Sequence, residues 1–271
     1  MRIIRTLRHR LLKGGISKWI FIIPSAGLLA LFALPLIALV LRSFSSEFFK
    51  NVHSEQALKA LGLSLITSSI TMGIAILFGT PLAFMLARWK FRQKSWLELI
   101  LDLPIVLPPS VAGLALLIAF GRMGLFGSIL NAFGISLPFT TFAVVIAQTF
   151  VAAPLYVRSA RIGFAGIALE LEEAAQVEGA NLWQLFREVM LPLSGRALLS
   201  GSVLTWTRAL GEFGATILFA GNLEGVTQTM PMAIYLGFEN NLNVALALSV
   251  LLILVSAILL MVMRSLEKRE D

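Results

Sequence analysis

The chain has 271 residues and no cysteine, carries a formal charge of +7, and is 58% hydrophobic and only 14% charged. A soluble domain has roughly 45–50% apolar and about 25% charged residues, so this surface is not built for water. The missing cysteine excludes disulfides, thiol nucleophiles and thiolate metal sites. The basic excess fits lysine and arginine gathered on the cytoplasmic side of a membrane, and no nucleic-acid partner is expected.

In chain order, residues 1–18 form a basic cytoplasmic N-terminus with Arg2, Arg5, Arg8, Arg10, Lys13 and Lys18, suited to anionic lipid headgroups. The first transmembrane helix is expected over 19–41. These 23 uncharged residues are longer than a signal-peptide core, and no small-residue cleavage site follows them. A second span runs roughly from Leu61 to Ala87 and is stopped by Arg88, Lys90, Arg92 and Lys94. The third, about Leu103 to Phe120, contains Pro104, Pro108 and Pro109 and should start irregularly or be kinked. A fourth is expected over Thr140 to Val157, a fifth over Leu198 to Ala220, and a sixth over Leu242 to Met263. The fold class is therefore an all-α membrane protein with six transmembrane helices. A core occupies 60–263 and a cytoplasmic tail 264–271.

Orientation follows from the basic residues. Seventeen fall in the N-terminus, the loop at 88–94, the loop at 158–196 and the tail. The opposite loops hold only Arg42, Lys50, Lys59 and Arg122, and Arg208 lies within a span. Both termini and the 158–196 loop should be cytoplasmic.

That loop can be built locally. Ala168 to Glu178 is rich in helix formers, and Gly179 stands where a left-handed residue would end the helix. Asn181 can cap a second helix, with Gln184 reaching back to it. Leu182, Leu185, Phe186, Val189 and Met190 form one apolar stripe at helical spacing, and Pro192 should stop the helix at Leu191. A stubby amphipathic helix of this kind either lies among headgroups without a partner or fills a groove on one.

Two constellations come to nothing. His9 and His53 fall on opposite sides of the membrane, so no metal site is expected. No Gly-rich loop ending in Gly-Lys-Ser/Thr exists, so P-loop binding of ATP is excluded and no cofactor is implied. The chain is not expected to be an enzyme.

Arg208 and Glu212 are charged within a span, where charge is costly and usually faces protein or water. Four residues apart on a helix, they can pair. The pair is either an internal strut or a place where Arg208 eases the passage of an anion. Gly211 and Gly214 beside it would let a neighbouring helix approach.

The spacing Glu173-Ala174-Ala175, three residues, Gly179, nine residues, Val189, one residue, Leu191-Pro192 resembles the EAA loop of bacterial ABC importer permeases. Its position between the fourth and fifth spans, on the basic side, favours the partner reading over the headgroup one. Residues 208–216, Arg-Ala-Leu-Gly-Glu-Phe-Gly-Ala-Thr, are similar to a segment of molybdate permeases. Related sulfate permeases tend to have a Val-Gly-Glu-Tyr-Gly type of sequence there. Leu103 to Gly113 resembles a Leu-Pro-x-Val-Leu-Pro-Pro segment shared by both groups. The resemblance runs from about residue 60 to the C-terminus.

It implies a type I ABC importer permease subunit moving molybdate, with tungstate not distinguishable, into the cytoplasm. It further implies a second permease copy as a homodimer, two copies of an ABC ATPase subunit and an extracytoplasmic oxyanion-binding protein. The ATPase socket would be a cytoplasmic EAA coupling loop using Glu173, Ala174, Ala175, Gly179, Leu182, Leu185, Phe186, Val189, Leu191 and Pro192. The expected location is a bacterial or archaeal plasma membrane, multi-pass in the bilayer. The alternatives are a sulfate or thiosulfate permease subunit and a secondary transporter outside the ABC class. The latter would need titratable groups in mid-membrane that the spans barely offer.

Overall fold

The computed structural model describes residues 15–44 and 46–267. The basic residues of the expected N-terminal segment up to Lys13, and Lys268 and Arg269 of the expected tail, lie outside the described residues. Among the described residues every regular element is a helix. In chain order they are α1 (Gly15–Ser43), α2 (Phe48–Val52), α3 (Glu55–Arg88), α4 (Lys94–Val106), α5 (Pro109–Phe120), α6 (Gly127–Ala132), α7 (Thr141–Ala165) and α8 (Leu169–Val177). Then come α9 (Leu182–Gln184), a π-helical turn (Leu185–Met190), α10 (Leu191–Leu193), α11 (Gly195–Leu210), α12 (Gly214–Ala220), α13 (Met230–Asn240) and α14 (Leu242–Glu267).

Four of these, α1, α3, α7 and α14, are long and apolar enough to cross a membrane. The number becomes five if α4 and α5 count as one broken span. The expected third span is thus not a single helix, since α4 and α5 meet at a bend of 118°. Leu107 and Pro108 each precede a proline, which drives them out of helical backbone, and both are extended, with ψ 135° and 136°. Pro109 then starts α5, where its missing N–H costs nothing.

The fifth expected span is also interrupted. Helix α11 ends at Leu210, and α12 begins at Gly214 after a three-residue break. Helices α2, α6 and α13 lie in stretches read as loops. Pro231 at the start of α13 is the local signal for that helix.

The centre is built by α3, α7 and α11, which pack on one another, while α5 packs on α12 and α13 on α14. Small residues set the distances. A β-carbon on Gly79 would lie 2.8 Å from the Tyr156 ring, and one on Gly201 2.8 Å from Ser159 Cβ. Helices in lipid gain little from hydrophobic burial against each other, so close approach and interhelical hydrogen bonds must hold them. Thr80 Oγ1 and Tyr156 Oη are 2.6 Å apart, Thr71 donates to Gln148 Oε1 at 3.2 Å, and Ser64 accepts from Met230 N at 2.7 Å. Helix α1 lies outside this core, with its apolar stretch exposed and its packing against α14.

Candidate functional site

The segment from Ile167 to Leu193 is fastened to the ends of α3 and α7. Helix α8 closes in the hydrogen-bond pattern of a left-handed C-cap: Gly179 N donates to Gln176 O at 3.0 Å, and Ala180 N to Ala175 O at 3.0 Å. Gly179 has φ +86°, a region where a β-carbon costs roughly 1–2 kcal/mol. Two residues later Asn181 starts the next helix. Its Oδ1 accepts from Gln184 N at 3.0 Å, and its own N–H donates to Gln184 Oε1 at 2.9 Å. Both helix ends facing the turn are therefore satisfied, and the turn has little freedom to swing.

The following helix does not stop at Leu191. Its middle opens into a π-turn in which Leu191 N donates to Phe186 O, and the chain stays helical to Leu193. A proline ring clashes with the carbonyl four residues before it in an α-helix. One extra residue in the turn moves that carbonyl aside and lets Pro192 remain in the helix. The helix is interrupted at Ser194, whose N–H and Oγ both donate to Met190 O.

The apolar stripe does not stay free for a partner as a unit. Leu185 and Met190 are buried in the chain's own core, with Phe186 and Val189 half-buried beside them. Phe186 meets Phe84 of α3 edge-on, with centroids 5.2 Å apart, and Phe84 meets Phe164 of α7 at 5.7 Å. Ala175 also packs here. Among the residues left outside, on either side of the Gly179 turn, are Glu173, Ala174, Val177, Leu182 and Trp183. Leu191 is half-buried and Pro192 exposed.

A polar link reinforces this contact. Arg88, in the last turn of α3, forms an ion pair with Glu172 of α8, donates to Ile167 O at 3.0 Å and touches Met190 Sδ at 4.0 Å. Glu172 is 6% exposed. The neighbouring acids Glu170, Glu173 and Glu178 are exposed, but this one is inside. A cation at the end of α3 also complements the helix dipole. Nearby, Arg161 of α7 reaches Glu98 of α4 at 3.1 Å.

The second candidate, Arg208 and Glu212, is brought together, though not on one continuous helix. Arg208 Nη1 lies 2.6 Å from Glu212 Oε2, while Ala215 N donates to Glu212 Oε1 at 2.8 Å. Glu212 sits in the break and caps the start of α12, and its side chain is 1% exposed against 34% for Arg208. Gly214 provides the close approach that its position suggested, 2.6 Å from Pro109 Cβ for an added β-carbon. Gly211 has no such neighbour and is exposed.

The family described as binding-protein-dependent transport system inner membrane component matches residues 79–271, which hold the whole Ile167–Leu193 segment and the Arg208–Glu212 break. The chain belongs to this family. A probable transport system permease protein of Clostridium pasteurianum, NifC, is 38% identical over 88% of this chain and 83% of its own. The molybdenum transport system permease protein ModB of Mycobacterium bovis is 40% identical over 91% of this chain and 93% of its own. The sulfate transport system permease protein CysW of Synechococcus elongatus is 36% identical over 79% and 77%. In fold, a bacterial ABC transporter involved in alginate import superposes with a TM-score of 0.77 over 99% of both chains at 17% identity.

As a binding-protein-dependent transport component, the chain is a multi-pass membrane protein. The loop's attachment uses two residues that spacing alone did not single out. Arg88 is one of four basic residues closing a span, and Glu172 is one of several acids in α8. Only packing distinguishes them from their neighbours.

Proposed function

We propose that this chain is the membrane-spanning subunit of an ATP-driven ABC importer that carries molybdate into the cytoplasm. The observation that carries the importer reading is the fastened loop, which leaves Glu173, Ala174, Val177, Leu182 and Trp183 exposed on either side of a capped turn. Such a turn suits a groove on a motor subunit. The identity to a molybdenum permease over nine-tenths of the chain supports the choice of anion.

In this reading α4 with α5, and α11 with α12, each count as one broken span, giving six with both termini cytoplasmic. Two copies enclose the pathway, two ATPase subunits dock on the loops, and an extracytoplasmic binding protein delivers the anion. Hydrolysis of ATP belongs to the ATPase subunit. The membrane is the plasma membrane of a bacterium or archaeon. A dianion cannot enter hydrocarbon because desolvation is prohibitive. A polar cavity between the copies, alternately open to each side, avoids that cost. Arg208, partly exposed and paired with Glu212, is the candidate cation for lowering the barrier there.

A sulfate or thiosulfate permease is the second reading, favoured by the 36% identity to a sulfate permease. Uptake of labelled molybdate by vesicles containing the whole complex decides between them. Molybdate uptake that resists equimolar sulfate supports the first reading, and equal competition by sulfate supports the second.

A further inference from the structure

We propose that Arg88 is the positioning residue that makes the coupling loop move as one body with the membrane helices. The proposal deepens the importer reading and rests on it.

One guanidinium joins four pieces of chain: the end of α3, the Ile167 carbonyl just past α7, Glu172 in the first turn of α8, and Met190 at the end of the π-turn. The side chains of Arg88 and Glu172 are only 17% and 9% exposed. An ion pair this well covered is weakly screened, and removing one partner leaves an uncompensated charge. The other contacts of the loop, through Phe84, Phe164 and Phe186, are aromatic and apolar. Apolar surfaces resist separation but have little directionality, so alone they allow the loop to slide on the helix ends. The hydrogen bond from the planar Arg88 guanidinium to Ile167 O fixes direction as well as distance, and the covered ion pair with Glu172 holds α8 to the same group. Force applied at the exposed turn then reaches α3 and α7 through a polar joint instead of being lost in slippage.

The test is made on the full complex of permease, ATPase and binding protein in proteoliposomes, reading ATP hydrolysed per labelled molybdate imported. Arg88→Met and Glu172→Gln should each raise that ratio by about fivefold or more, the lower range of ordinary coupling between sites. The ATPase should still co-purify with the permease. The exchange Arg88→Glu with Glu172→Arg should bring the ratio part of the way back. Should Arg88→Met fail to insert, Glu172→Gln carries the test, because it keeps the shape and removes only the charge.

An unchanged ratio in Glu172→Gln overturns the proposal. So does a fall in uptake that merely tracks loss of the co-purified ATPase, since that marks a purely structural role. A wild-type complex that imports labelled sulfate instead of molybdate overturns the substrate reading alone, and the ratio is then read with sulfate.

Discussion

Glu212 divides its two carboxylate oxygens between Arg208 Nη1, at 2.6 Å, and the N–H of Ala215, at 2.8 Å. The same side chain thus neutralises a membrane cation and caps the helix that starts beyond the break. Arg208→Ala leaves a buried carboxylate with half its partners and should cost on the order of 3 kcal/mol of stability. Arg208→Ala combined with Glu212→Ala should recover much of that loss, read as the thermal midpoint in detergent. If Arg208 also eases the anion's passage, uptake by the double variant stays low after stability returns.

Gly179→Val should cost about 1–2 kcal/mol locally through backbone strain alone, because no atom lies within 4 Å of an added β-carbon. Gly179→Asn should be tolerated better, since Asn adopts left-handed backbone more readily. Co-purification of the ATPase and ATP-driven uptake should fall for the valine variant while membrane insertion is unaffected. Equal uptake by both variants would show that the turn's geometry does not matter for coupling.

Glu173 lies on the exposed side of α8. Glu173→Arg should therefore weaken ATPase docking without lowering the thermal midpoint. Glu172→Ala, one residue away, should lower it, because it strips Arg88 of its ion pair. Differential melting of the two variants measures this directly.

Gly214→Ala should destabilise the helix break by about 1–3 kcal/mol, the usual cost of overpacking. Its β-carbon would sit 2.6 Å from Pro109 Cβ and 3.4 Å from backbone atoms of Pro109 and Ser110. Gly211→Ala meets nothing nearer than 3.7 Å and should be close to neutral. The two thermal midpoints, compared in the same detergent, check the contrast.

A cytoplasm-dependent reporter inserted at Asn181 should be active, as should one fused after Asp271. Activity at Asp271 with silence at Asn181 would place the loop on the wrong side for an ATPase.

Local chemistry was legible in the sequence because it depends on neighbours along the chain. Gly179 announced its left-handed turn, Asn181 and Gln184 their capping box, and the apolar runs at α1, α3, α7 and α14 their capacity to span a membrane. What remained hidden depends on which side chain meets which across distant segments. Pro108 and Pro109 promised a disturbance, but not that α4 and α5 would meet at 118° with α5 laid against α12. The stripe from Leu182 to Met190 was visible as apolar, yet periodicity cannot say whether a face meets a partner or its own core, and here most of it meets the core. Arg88 and Glu172 differ from the charges beside them only in being brought together over more than eighty residues of chain. Burial, which gives that pair its strength, is a property of the assembled fold.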